Sequence, residues 1–226
     1  MINCILLVPE ITKGMKSVGS KSLLPIKNNK YLIQYQIEQI SNISKTMRIT
    51  IATGFDHDKI LKITKPYNNV DVLYNSEYEY TNFGKCLELY LKSETSTNID
   101  NLLLVSSGVL FKKGALISTY CKNSSKIFIL DKPKNNFEIG CNPTPYTEYL
   151  FYDLPQIWSE CVYFNSDAIS TLKKIMSTKP IAQMYLFEII NEIVSQKIIF
   201  EKQLVSKNNF LKVTGVKDLS RAKVFI

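Results

Sequence analysis

The sequence predicts one α/β domain of three layers, with helices covering both faces of a mostly parallel sheet. Three observations lead there. Apolar runs of strand length alternate with segments of helical period. The run 101–106, Asn-Leu-Leu-Leu-Val-Ser, is apolar almost throughout, the pattern of a strand buried on both faces. A chain of 226 residues with 45% hydrophobic content can bury one substantial core. Strands and helices alternating at this spacing imply right-handed βαβ units.

The elements follow in order. Residues 2–8 (Ile-Asn-Cys-Ile-Leu-Leu-Val) make an apolar first strand that runs into a loop. A helix over 31–41 puts Ile33, Tyr35, Ile37 and Ile40 at helix-face spacing. A second strand covers 48–53 and ends in Gly54; helix 57–64, strand 70–74, helix 83–92 and strand 101–106 complete the regular half. The second half is less periodic. Segments 126–130, 137–141 and 149–152 read as strands, the last two as a hairpin around Asn142-Pro-Thr-Pro145. A strand at 158–164 precedes helices at 168–176 and 181–196. Short strands at 198–200 and 210–213 and a helix at 217–224 close the chain. No repeat, low-complexity tract or linker interrupts it, so a single domain over 1–226 is expected.

Composition excludes several classes. No run of about 18 apolar residues exists, so no membrane helix is expected. The first apolar stretch lacks a basic leader and a cleavage site, which marks it as a strand and not a signal peptide. Cys4, Cys86, Cys121, Cys141 and Cys161 are scattered and form no CxxC pair, which points to reduced thiols in a cytoplasmic protein. They read as small buried hydrophobes. The net charge of +8 comes from 28 Lys plus Arg, of which only Arg48 and Arg221 are arginine. Base-edge and bidentate phosphate recognition favours arginine, so nucleic acid is not the expected partner. The lysines read as a solvated surface or a functional basic patch. Ser106, Ser107 and Ser159 lack a G-x-S-x-G elbow, and the chain has no P-loop motif.

The first loop is the most informative stretch. After the opening strand come Pro9-Glu-Ile-Thr-Lys13 and then Lys21-Ser-Leu-Leu-Pro25-Ile, followed by Tyr31-Leu-Ile-Gln-Tyr-Gln36. Further on stand Thr53-Gly-Phe-Asp-His-Asp-Lys-Ile60, then Val72-Leu-Tyr-Asn75 with Tyr78 and Asn82, and 102–111 ending Ser-Ser-Gly-Val-Leu-Phe. Last comes Phe210-Leu-Lys-Val-Thr-Gly-Val-Lys-Asp-Leu-Ser-Arg-Ala222. In order and spacing these resemble the sugar-phosphate nucleotidyltransferases, nearest in flavour to their phosphocholine cytidylyltransferase branch. The resemblance implies a nucleotidyltransferase-like, Rossmann-like fold with a pocket at the carboxyl ends of the first strands. Lys13 and Lys21 stand at the catalytic, phosphate-binding positions. Lys16, Asn75, Asn82 and Ser107 are candidates for binding nucleotide or acceptor.

The reaction such proteins run needs close backbone approach to phosphates and a Mg²⁺ ion held by hard oxygen ligands. Here the loop glycines fall on Pro9 and Ile11, and the two metal-binding aspartates fall on Gly108 and Thr214. Proline fixes φ and removes a donor. A glycine offers no ligand, and a threonine hydroxyl is a poor substitute for a carboxylate. The expectation is therefore a pseudoenzyme, a binding or assembly module for a nucleotide, a phosphorylated small molecule or a protein partner, with no certain cofactor. The alternative is an active nucleotidyltransferase whose Mg²⁺ site has moved to Glu10, Asp131, Asp153 or Glu160. His57, the single histidine, reads as an exposed residue at a helix start. Trp158 and Tyr152 read as core or as the wall of an acceptor pocket.

Overall fold

The computed structural model describes residues 3–9, 19–93, 99–116, 124–131 and 138–226. In chain order the elements are β1 (Asn3–Val8), β2 (Pro25–Lys27), β3 (Lys30–Tyr31), α1 (Leu32–Ser41), β4 (Arg48–Thr53), α2 (His57–Thr64), β5 (Val70–Tyr74) and α3 (Phe83–Lys92). There follow β6 (Leu102–Ser106), β7 (Val109–Phe111), β8 (Ser125–Asp131), β9 (Ile139–Cys141), β10 (Phe151–Tyr152), β11 (Gln156–Phe164), α4 (Ser166–Thr178) and α5 (Leu186–Ser195). β12 (Phe200–Ser206), β13 (Phe210–Lys212) and α6 (Leu219–Phe225) end the chain.

Strands β5, β4, β1 and β6 lie side by side and parallel, with Leu7 facing Ala52 on one side and Ser106 on the other. β11 runs antiparallel to β6; beyond it come β8, antiparallel, and β12, parallel to β8. The hairpin of β9 and β10 forms as expected and joins the first residues of β11. Two small ribbons pair β7 with β13 and β2 with β3.

Both faces of the sheet are buried. On one, Leu6, Val105 and Tyr163 pack with Ile33, Ile37 and Ile40 of α1 and Ile60 of α2. On the other, Leu7, Leu104 and Val162 pack with Leu87 of α3, Leu172 of α4 and Ile190 of α5. Burying each such side chain contributes about 1.5–3 kcal/mol. A smaller cluster of Leu24, Leu32, Leu110, Val213 and Ala222 fastens α6 to the β7–β13 ribbon. The α1 start is fixed by Gln34 Oε1, which accepts from Tyr31 N at 2.9 Å. Cys4, Cys86, Cys141 and Cys161 are buried free thiols, and Cys121 lies outside the described residues. No helix among the described residues is long and apolar enough to cross a membrane.

Beyond the short strands β2, β3 and β7, which were not expected, two elements differ from expectation. The helix expected over 181–196 begins only at Leu186, because Asn82 N and Gly84 N bond the carbonyls of Ala182 and Met184 at 2.9 and 3.1 Å. Those carbonyls serve a neighbouring chain segment and not a helix ladder. The late strand expected at 198–200 instead runs through Phe200–Ser206 along β8. Glu201, Lys202 and Gln203 hide it from a hydrophobicity reading, since it is an edge strand.

Candidate functional site

The chain proceeds from β1 to β4 to β5 in one direction, then crosses back through α3 to place β6 on the other side of β1. The carboxyl ends of β1 and β6 therefore flank the point where the strand order reverses, where doubly wound sheets open a crevice. Ser107 N donates to Leu7 O at 2.9 Å and ties the two ends together. Above them lies a cleft of about 230 Å³. Its floor is Leu7, Pro9, Ser106 and Ser107; its charged groups are Lys21, Glu160 and Lys212; its apolar wall includes Phe83, Ile139, Tyr152, Trp158, Tyr185 and Phe187.

Each charged group is held by its own local device. Lys21 opens a 3₁₀ turn, Lys21–Leu23, capped by Ser20 Oγ accepting from Ser22 N at 3.3 Å. Ser20 N in turn donates to Asp56 Oδ2 at 2.7 Å, which pins the turn to the end of β4. Glu160 sits in a bulge of β11. Trp158 faces Ile129 and Val162 faces Ile127, so β11 takes four steps where β8 takes two. Glu160 adopts φ +61° within it, and Cys161 O accepts from Trp158 Nε1 at 2.8 Å. Bulges re-aim side chains in this way beside functional sites. Lys212, the last residue of β13, bonds Glu160 through Nζ and Oε1.

The turn after β6 is organised by Gln36, fully buried on α1. Its Nε2 donates to Ser106 O at 3.2 Å and Val109 O at 2.9 Å. Gly108 lies in that turn at φ +86°, and Gly108 O accepts from Val213 N at 2.8 Å. A Cβ on Gly108 would stand 2.3 Å from Val213 O and 3.3 Å from Lys21 Cε. Thr214 is likewise engaged: its Oγ1 and N both donate to Asp218 Oδ2, at 2.7 and 2.8 Å. Burial would raise the Asp218 carboxyl, but these two bonds, with Arg221 and Lys217 nearby, outweigh it and hold the group below its ordinary value. The residues at the two expected aspartate positions thus do not fit a Mg²⁺ ion: one is closed by a carbonyl, the other turned into a helix-end contact.

Of the residues expected from sequence, the structure brings Lys21 and Ser107 together in the cleft with Trp158, Tyr152 and Glu160. Lys13 and Lys16, like Glu10 and Ile11, lie outside the described residues. Asn75 and Asn82 are elsewhere. Asn75 closes a turn, with Oδ1 accepting from Glu77 N at 3.0 Å and Nδ2 donating to Thr81 Oγ1 at 3.0 Å. Asn82 Nδ2 donates to Gln183 O at 2.7 Å. His57 is half-buried and not exposed as expected: its Nδ1 shares a hydrogen bond of 2.7 Å with Thr53 Oγ1, and its ring lies 4.4 Å from that of Tyr74. Lys212, Gln36, Phe83, Tyr185 and Phe187 were not anticipated. Lys212 and Gln36 carried a signal, standing inside the Phe210–Ala222 and Tyr31–Gln36 stretches of the resemblance; the three aromatic residues carried none.

The sheet order and the matches in shape give the chain a nucleotidyltransferase-like α/β fold. No family profile matches the chain, and no curated protein matches it in sequence. Solved structures do match in shape. The CTP:phosphocholine cytidylyltransferase of Streptococcus pneumoniae superposes with a TM-score of 0.76 at 16% identity, covering 99% of this chain and 98% of that one. A nucleoside-diphosphate-sugar pyrophosphorylase from Vibrio cholerae gives 0.79 at 8% identity over 99% and 100% of the two chains. The inositol-1-phosphate CTP transferase of T. maritima gives 0.75 at 14% over 99% and 94%.

Proposed function

We propose that this protein is a binding module on the nucleotidyltransferase fold, whose cleft takes a nucleotide or phosphorylated small molecule without the Mg²⁺-dependent transfer reaction. The observation that carries the reading is Gly108. Its left-handed backbone and the Val213 carbonyl leave no room for the carboxylate that the resemblance calls for. Two of the matched structures are named for phosphorylated acceptors, phosphocholine and inositol-1-phosphate, which supports a phosphorylated ligand here. The lysines supply cations for the phosphate, and the aromatic wall covers the organic body of the ligand. Four buried free thiols support a reducing, cytoplasmic setting.

The test is isothermal titration with CTP, UTP, GTP and ATP and with phosphocholine, each in Mg²⁺ and in EDTA. Binding that does not require Mg²⁺ and is not strengthened by it, abolished when Lys13 and Lys21 are both replaced by Ala, is the expected result. One observation favours a second reading, an active nucleotidyltransferase with a relocated metal: Glu160 is a carboxylate aimed into the cleft by its bulge. Tight binding that requires Mg²⁺ and is lost in Glu160→Gln would establish that reading instead.

A further inference from the structure

The charge of the cleft is inverted relative to what a metal-dependent site needs. At the turn after β6, where a carboxylate is called for, the space beside Gly108 holds the Lys21 side chain, with Cε 3.3 Å from where a Cβ would stand. At the second place, the cleft receives Lys212, two residues ahead of Thr214, and its ammonium is already paired with Glu160. Resting on the binding reading above, we infer that Lys212 acts with Lys21 as the resident cation for the ligand's phosphate, and that Glu160 is an internal counter-anion which the phosphate displaces.

Three features argue for exchange over a purely structural ion pair. The Lys212 and Glu160 side chains are each about a quarter exposed (27% and 27%), so a solute can reach both. A phosphate monoester or diphosphate carries more charge than one carboxylate and presents several acceptor oxygens, enough to contact two ammonium groups at once. The aromatic and aliphatic wall keeps the local dielectric below that of water and strengthens whichever anion sits against the lysines. The bulge fixes the Glu160 backbone at φ +61° while its partly exposed side chain offers a single carboxylate. An arriving phosphate therefore takes the Lys212 ammonium, and the Glu160 carboxylate returns to water. The ligand class that fits is a phosphate monoester or diphosphate bound free of metal; a Mg²⁺-complexed phosphate, its charge already neutralised, binds worse.

The experiment is titration with inorganic pyrophosphate in EDTA, then in Mg²⁺, on the wild-type chain and on Lys212→Met, Lys212→Arg, Glu160→Gln and the double variant Glu160→Gln/Lys212→Met. Removing the competing anion should tighten binding about five- to tenfold in Glu160→Gln, an effect that loss of a merely structural ion pair would not produce. Lys212→Met should weaken it at least tenfold, Lys212→Arg should retain it, and the double variant should bind as weakly as Lys212→Met. The double variant leaves no unpaired charge behind, so a folding defect in the single variant does not blur the answer. Mg²⁺ should weaken wild-type binding. Unchanged or weaker binding in Glu160→Gln, unchanged binding in Lys212→Met, or binding strengthened by Mg²⁺ overturns the inference. If wild-type protein binds pyrophosphate and Lys21→Ala abolishes it while the Lys212 and Glu160 variants behave as wild type, the inference fails and the binding reading stands. If neither pyrophosphate, nor the nucleotides, nor phosphocholine bind at all, both fail.

Discussion

Gly108 and Asp218 show how single residues decide what the cleft can hold. Gly108→Asp, which would restore the expected carboxylate, has to force an L side chain into the left-handed region and against the Val213 carbonyl at 2.3 Å. Such a change should destabilise the fold by about 2–4 kcal/mol. Thermal unfolding measures it, and a variant as stable as wild type that gains Mg²⁺-dependent binding would refute the assignment. Asp218 makes a pH-dependent contribution. Its folded carboxyl lies below the ordinary value, so its stabilisation is complete above the unfolded pKa and is lost as pH falls through the folded one. Asp218→Asn should therefore lower stability by about 1.5–3 kcal/mol near pH 7, and by progressively less as the pH falls through the folded-state pKa and the wild-type carboxyl also takes up its proton. Equal losses across that range would count against this account. Sequence placed Gly108 at an expected aspartate position but gave no sign of its φ, and an aspartate near a helix start gives no sign of its donor.

At the scale of elements, the parallel half was legible almost to the residue: 48–53, 57–64, 70–74 and 83–92 are as read from the pattern. β4 is buried on both faces, β5 at the sheet edge keeps an apolar run of Val70, Val72 and Leu73, and the helices carry one apolar stripe, so hydrophobicity alone locates them. What escaped was set by long-range contacts. The delayed start of α5 depends on carbonyls captured by the start of α3, and the bulge of β11 depends on its register with β8. Gly84 is the hinge of the first of these contacts. A Cβ there would lie 1.8 Å from Ile181 O, so Gly84→Ala should push the segment before α5 away from α3. Because that segment leads directly into Tyr185 and Phe187, the cleft wall moves with it. The expected result is a loss of about 2–4 kcal/mol in unfolding measurements together with weaker ligand binding. A variant with wild-type stability and affinity would show that the contact does not shape the wall.

For the whole molecule, the cleft is assembled from chain segments far apart in sequence: Lys21 near the start, Ser107 in the middle, Glu160 on β11 and Lys212 close to the end. Only the first two stand beside recognisable sequence patterns that mark them as site residues. Glu160 could be named only as one acidic candidate among several, because nothing local reveals the bulge that aims it. Lys212 is remote from the other site residues until β13 pairs with β7. A site spread this widely couples ligand binding to global folding. Ligand at about a hundred times its Kd should add about 2.7 kcal/mol and raise the unfolding temperature by roughly 5–10 °C. Scanning calorimetry with and without ligand checks this, and tight binding without such a shift would mean the ligand sits elsewhere. The wall carries one more consequence. The chain has a single tryptophan among its 226 residues, and that residue, Trp158, is 5% exposed and lines the cleft beside Glu160. Every photon emitted by indole in this protein therefore originates at the site, and its wavelength and quenching report occupancy with no label attached.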